Sequence, residues 1–458
     1  MKILLLNPPS QKKILRDYFC SESSKAAYYW PPIDLLVLSG ILKSFELKVI
    51  DSIIYQYSEE KTLEYITSFS PDWVISLVSA VGWEEEKSFL SSLKENNPNV
   101  KIGIIGDIAL FEPDICFKVS SIDAIIQNFT SDNISEFLSQ VTPSSLYSGI
   151  IYRKGDELVR GAMSEQKEFS YPVPQHSLFP LHKYSLPYSR YSPITTVITS
   201  TYGCMYKCTF CPSGQIGFGY RNLDNTLEEL DYIQKLGIKE IYFRDFSLSA
   251  PPSRLIELCR QMIKRDYSFR WSCDAVVSNM NFELLSLMKK AGCYLIFFGI
   301  ESGQEHELKK VHKPIKDLNS IRQVFNECKK VGIDTLASFI LGLPYQTEDD
   351  LLETLSFSKE ISPTYASFNV FVPRYGTPLR NQLQKEGKMF IETDIDSSEK
   401  AFNLTSVSDE RLNEIHRRAI REFYMRPSYI WDRFRHVNSF MQLKYLVKNG
   451  YSLFQKII

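Results

Sequence analysis

Cys204, Cys208 and Cys211 are separated by three and then two residues, with Gly203 before the first and Phe210 before the last. Thiolates are soft ligands that suit zinc or an iron–sulfur cluster, and this spacing lets one loop wrap around a single centre. Three protein ligands at a centre that prefers four leave one position open, which marks a reactive rather than a structural metal. Zinc needs a fourth ligand nearby, yet no His or Cys follows before Cys259. A [4Fe–4S] cluster with one iron free for a substrate fits better. The other cysteines (Cys20, Cys116, Cys259, Cys273, Cys293 and Cys328) show no short paired spacing, so no auxiliary cluster is expected. Gly214, Gly217 and Gly219 imitate a phosphate loop, but no Lys-Ser/Thr follows. They read instead as close backbone packing around the cluster, with Tyr220 and Arg221 entering the adjoining cavity.

The elements that must position these cysteines are α/β. Residues 1–140 alternate apolar runs (2–7, 47–52, 73–80, 100–107, 124–128) with amphipathic stretches. This predicts a doubly wound, Rossmann-like parallel sheet whose ligands sit beyond the carboxyl ends of its strands. Residues 141–193 read as a Pro- and Ser-rich linker with a β-hairpin around Lys154-Gly155-Asp156. His176 and His182 in this linker read as surface histidines. Residues 194–390 hold six βα units, with strands at 195–202, 240–246, 270–276, 294–302, 335–343 and 365–372 and helices between them. Such repetition predicts a partial (β/α)6 barrel with chemistry at the carboxyl strand ends. The cysteine loop follows its first strand. Residues 391–458 are expected to be helical.

With Phe210 before its last cysteine, the motif resembles the radical S-adenosylmethionine (SAM) enzymes. Over nearly its whole length the chain resembles their cobalamin-binding subgroup, including the hopanoid cyclitol-forming and anaerobic porphyrin cyclase types. The resemblance implies that Cys204, Cys208 and Cys211 hold a [4Fe–4S] cluster whose fourth iron is chelated by SAM, and that reductive cleavage yields a 5′-deoxyadenosyl radical. It implies a SAM site built from Phe210, Asp245, Ser272, Glu301, Ser302 and Ile340. Asp245 accepts from the SAM amino group, Glu301 and Ser302 serve the ribose or amino group, and the segment of Ile340 lies along adenine. Many relatives carry Arg where Val276 stands, so the SAM carboxylate needs another cation, for which Arg374 is the candidate. Cobalamin, the third implied cofactor, is assigned to Asn7, Pro8, Ser79, Gly106, Asp107 and Asn128. Two departures lie among these residues: Gly106-Asp107-Ile108-Ala109 and Asn128-Phe129-Thr130-Ser131 replace glycine-richer loops of the subgroup. No Asp-x-His-x-x-Gly is present, so no histidine ligand to cobalt is implied.

A net charge of −1 gives no reason to bind nucleic acid, and nine cysteines without a disulfide-like framework point to a reducing, cytoplasmic compartment. No run resembles a signal peptide or a membrane span. From Arg411 to Ile458 ten Lys or Arg face three acids, with Phe423, Tyr424, Trp431, Phe434, Tyr445 and Phe454 interleaved. This tail reads as a helical cap over the barrel or as a peripheral contact with the inner membrane surface. The expected function is radical attack on an unactivated carbon of a small-molecule or lipid-like substrate, with C-methylation through cobalamin favoured. Flavodoxin or ferredoxin is the implied reductant. The alternatives are radical rearrangement or cyclisation without methyl transfer, and a non-catalytic Fe–S scaffold or electron carrier.

Overall fold

The computed structural model describes residues 1–24, 28–131, 133–139, 147–163, 167–186, 188–189, 191–389, 403–435 and 447. The expected boundaries at 140/141 and 390/391, and the tail residues Tyr445 and Phe454, lie outside the described residues. The strands of the first 160 residues are β1 (Lys2–Asn7), β2 (Ile14–Leu15), β3 (Glu22–Ser23), β4 (Glu46–Asp51), β5 (Trp73–Leu77), β6 (Lys101–Ile105), β7 (Ala124–Ile126), β8 (Ile150–Lys154) and β9 (Glu157–Arg160). The near-continuous apolar runs of β1, β5, β6 and β7 are buried along almost their whole length. The first sheet has the order β4-β1-β5-β6-β7-β8-β9, parallel as far as β7 and antiparallel beyond it. Along β1, Ile3 and Leu5 enter one core, and Leu4 and Leu6 the other. The hairpin expected in the linker is β8–β9. It turns at Gly155, but it extends the first sheet through β7 instead of standing free.

The second sheet is the barrel wall. After β10 (Glu168–Phe169) come β11 (Thr195–Ile198), β12 (Thr201–Gly203), β13 (Phe218–Arg221), β14 (Glu240–Phe243), β15 (Arg270–Ala275), β16 (Cys293–Glu301), β17 (Asp334–Leu341) and β18 (Tyr365–Val370). Strands β11, β14, β15, β16, β17 and β18 form six parallel neighbours in chain order. The helices between them, among them Leu223–Lys235, Pro252–Lys264 and Leu318–Val331, bury an apolar stripe on the outside of this wall. The expected first strand, 195–202, is broken after Ile198. Residues 201–203 turn away to pair with β13, which also pairs with β10. In the tail, the helix Asp409–Tyr424 buries Leu412, Ile415, Ala419 and Phe423 against the barrel, as a cap does. Its amino end is capped by Ser408, which accepts from Arg411 N. No helix among the described residues is long and apolar enough to cross a membrane.

His176 is not a surface histidine. It is fully buried, 2.8 Å from Thr196 Oγ1 through Nδ1 and 2.8 Å from Glu229 Oε1 through Nε2. Glu229 also accepts from Arg221, which lies buried on the Tyr171 ring. Arg221 is thereby held behind the wall and does not enter the cavity. Burial works against the Glu229 charge, but Arg221 and His176 hold its carboxyl below the usual 4.5. A carboxylate depressed in this way stabilises the fold above its unfolded pKa and loses that contribution as pH falls through the folded one. Glu229→Ala is expected to cost about 3–5 kcal/mol in denaturant unfolding at neutral pH, because it strands a buried arginine. The gap to wild type should narrow as the pH drops below 4.5.

Candidate active site

The cysteine loop is aimed by a buried carboxylate on the neighbouring strand end. Asp245, just beyond β14, is fully buried and accepts from Ser200 N, Thr201 N and the hydroxyls of Thr199, Ser200 and Thr201. These bonds end β11 and turn the chain over the barrel mouth. Gly203 follows with φ +66°, where an added Cβ would lie 2.0 Å from Gly217 O. After the cysteine loop Gly214 packs as closely, its Cβ position 2.1 Å from Tyr206 O, whereas a Cβ on Gly217 would meet nothing within 4 Å. The loop itself is pinned on both sides: Thr209 N donates to Val311 O at 3.1 Å, and Leu379 N donates to Thr209 O at 3.0 Å.

Cys204, Cys208, Cys211 and Phe210 line a cavity of about 740 Å³, together with Glu301, Asp274 and Arg244. Burial pushes the Cys204 thiol up to about 11 and Cys208 to about 12, while the nearby Lys313 ammonium opposes both shifts. A bound metal is the kind of centre that would turn them into thiolates. Among the described residues, His306, Glu307 and Asp350 gather their ligand atoms within 4.8 Å of one another, and the three cysteine sulfurs do not. A single tetrahedral ion with Zn–S bonds of about 2.3 Å needs closer sulfurs, so the donor set fits a cluster better than zinc.

The expected SAM residues divide. Glu301 faces the cavity at an irregularity of the β16–β17 ladder, with φ +68°, and its Oε1 lies 2.6 Å from Lys313 Nζ. Phe210 and the half-buried Ile340 pack against one small apolar cluster beside it. Asp245 faces away from the cavity, and its oxygens accept from residues 199–201. The buried hydroxyl of Ser302 donates to Glu307 and accepts from Gln304 N. Ser272 is buried in the wall with no hydrogen-bond partner and does not reach the cavity, whereas Asp274, two residues on, does. Arg374 turns to the segment between β2 and β3, where it donates to Ser21 O at 2.7 Å. Cys273 is buried in the outer core.

Sequence reasoning missed Lys313, Asp274, and the pair His416 and Arg417 on the capping helix, all of which line the cavity. Lys313 follows Lys309 and Lys310 in a short basic run that carries no motif. Arg244 is held by Asp17 at 3.1 Å and stands over the rings of Phe19, Trp30 and Phe246. Burial pushes Asp274 up to about 6 against the pull of Arg244.

The residues expected to meet cobalamin are mostly engaged with their own chain. Asn7 donates to Tyr29 and Asp51 and accepts from Arg16, whose guanidinium also reaches Pro8 O and Glu86. Ser79 donates to Glu86, and Asp107 accepts from Ser21 and from Ala80 N. A Cβ on Gly106 would lie 1.9 Å from Val78 O, so this glycine admits a neighbouring strand. Residues 14–23 thus cover the strand ends, and Tyr18 packs on Phe129, Tyr202 and Phe246. Asn128 borders a second cavity of about 330 Å³, shared with Gln215 and Phe218. Cavities of a few hundred Å³ take one small ligand. In this conformation these residues do not form an open site for a corrin ring.

Parallel strands with a three-cysteine loop over their carboxyl ends define a radical SAM domain, and residues 198–358 match the radical SAM superfamily. The chain carries that domain. Among curated proteins, it is 28% identical to an uncharacterized methyltransferase of Pyrococcus horikoshii, covering 95% of each chain. It is 23% identical to the anaerobic magnesium-protoporphyrin IX monomethyl ester cyclase of Rubrivivax gelatinosus, over 85% of this chain and 71% of that one. Among solved structures, it shares its fold with the cobalamin-dependent radical enzyme OxsB with aqua-cobalamin and SAM bound. The TM-score is 0.72 at 18% identity, over 99% of this chain and 72% of OxsB.

The geometry makes Asp245 a positioning residue. Asp245→Asn is expected to lower stability by about 1–3 kcal/mol, since buried donors lose their acceptor. SAM affinity of the folded protein, measured by equilibrium dialysis, should change less than about twofold, where loss of a charge-assisted ligand contact would cost far more.

Proposed function

We propose that the protein is a radical SAM enzyme acting on an unactivated carbon of a small-molecule substrate, with methylation of that carbon the favoured outcome. One observation carries the reading: Cys204, Cys208, Cys211, Phe210 and Glu301 share one cavity at the carboxyl ends of parallel strands. A [4Fe–4S] cluster and SAM, if held there, would supply the radical chemistry that abstracts a substrate hydrogen. The chain's part is to bind, orient and exclude water. The three cysteines hold the cluster, Glu301 takes the ribose hydroxyls, and the strand carrying Ile340 flanks the adenine beside Phe210. Aromatic walls that include Tyr28, Trp30, Tyr242 and Phe297 keep the radical's surroundings dry. An electron from reduced flavodoxin or ferredoxin is required.

The methyltransferase of Pyrococcus horikoshii supports methyl transfer, and the shared fold with OxsB supports cobalamin as a further cofactor. Residues 14–23 would have to leave the strand ends to admit a corrin, so no step is assigned to it here. The cyclase of Rubrivivax gelatinosus supports the second reading, rearrangement or cyclisation. Peripheral membrane contact is supported by Trp431, 67% exposed on the helix Pro427–Arg435.

The test is protein reconstituted without oxygen in the presence of hydroxocobalamin. About four irons per chain are expected, lost in Cys208→Ala, with roughly one corrinoid retained after gel filtration. Hydrogen exchange across residues 14–23 should rise when the corrinoid binds. Four irons without corrinoid would leave radical chemistry standing and remove the cobalamin route to methylation. Absence of any cluster would end the reading.

A further inference from the structure

We infer that His306, Glu307 and Asp350 form a second metal site, separate from the cysteine loop, that takes a divalent transition ion of the zinc type. His306 and Glu307 stand in the helix Glu305–Lys310, after β16, and Asp350 in the first turn of the helix Glu348–Ile361, after β17. One ligand atom from each lies within 4.8 Å of the other two. None of the three lines the cavity of the cysteines. Imidazole nitrogen and carboxylate oxygen are donors that zinc accepts. His306 Nε2 and Asp350 Oδ1 are 3.5 Å apart. A charge-assisted hydrogen bond is shorter, about 2.7–2.9 Å. Two donors held at about 2.1 Å by one tetrahedral ion lie about 3.4 Å from each other. The pair stands at ligand spacing.

Each carboxylate is held by one oxygen and keeps the other. Glu307 Oε2 accepts from Ser302 Oγ and, at 2.8 Å, from Gln346 Nε2. Asp350 Oδ2 accepts from Thr347 N at 2.9 Å and Thr347 Oγ1 at 2.7 Å. Outer partners of this kind orient the carboxylates of metal sites. Glu307 is 4% exposed, yet its Oε1 accepts no hydrogen bond among the described residues. A buried carboxylate oxygen is costly without a donor or a cation to meet it. Among the described residues, no lysine or arginine pairs with Glu307 or Asp350. A divalent ion balances both charges. The His306 side chain is 52% exposed, which gives the ion an entry path and leaves the remaining coordination position to water.

The backbone brings the two helices together before any ion arrives. Gly303 N donates to Thr354 Oγ1 at 3.0 Å, and a Cβ on Gly303 would lie 2.9 Å from Thr354 Cα. Gln346, which holds Glu307, also accepts through Oε1 from Gly342 N at 2.7 Å and Leu343 N at 2.9 Å. The ligands therefore sit on braced elements, as a metal site requires. An ion here fastens the helix after β16 to the turn and helix after β17, two neighbouring strands of the barrel wall.

The test is the zinc content of the full chain after cluster reconstitution and dialysis against a zinc-buffered solution. Wild type is compared with His306→Ala and Asp350→Asn, which leave Glu307 and its partners untouched. His306 is exposed, and an asparagine at 350 keeps an oxygen for Thr347, so both variants retain the fold. Asp349→Asn, an exposed acid in the same first turn, controls for diffuse negative charge. Zinc taken by thiols is common to all four proteins, so the difference reads this site whether or not a cluster forms. Wild type and Asp349→Asn should each hold about one zinc more per chain than the two ligand variants, whose zinc affinity should fall about tenfold or more. Equal zinc in all four proteins, a loss in only one ligand variant, or an equal loss in Asp349→Asn overturns the site.

Discussion

The cysteine loop takes its direction from a carboxylate that lies outside the cavity. Burying Asp245 is costly unless its charge is fully hydrogen-bonded, and residues 199–201 satisfy it with backbone amides and three consecutive hydroxyls. In doing so they give up the parallel ladder, and the chain swings across the barrel mouth. Arg254, from the next helix, adds bonds to Ser200 Oγ and Arg221 O, so the turn is braced against the outer layer as well. A loop that must present three thiols to one cluster needs this rigidity.

A second charge pair completes the site from the opposite wall. Glu301 and Lys313 approach across a strand irregularity, and Thr209 joins the lysine turn and the segment at Leu379 to the cysteine loop. Residues more than a hundred positions apart in sequence therefore hold one geometry. The buried ion pair is of little use as a stabiliser, because desolvation offsets most of its attraction. Its value lies in keeping two charged groups oriented in a cavity walled in part by aromatic rings.

Between the two sheets the chain fills its own ligand space. Residues 14–23 bring Arg16, Asp17, Tyr18 and Ser21 to the strand ends, and each finds a partner there: Glu86, Arg244, Tyr202 and Asp107. The departures from the glycine-rich pattern at 106–109 acquire a physical sense from this. Asp107 gathers amide and hydroxyl donors from the covering segment and from Ala80, and Gly106 makes room for Val78 O.

Periodicity and spacing alone determined much of this protein: parallel sheets from apolar runs, six βα units in order, and a three-thiol loop at the first strand end. Such signals are local, and burial on both faces leaves little freedom in how they fold. The tertiary structure decided which polar residues face the cavity. Asp245 and Ser302 stand in the expected motifs but are buried among partners of their own chain, whereas Lys313, which lines the cavity, comes from an unremarkable basic turn. His176 looked superficial in a Pro-rich segment and is buried against Glu229. A side chain's role follows from the groups that surround it, and those arrive from distant parts of the chain, so no local pattern can specify them.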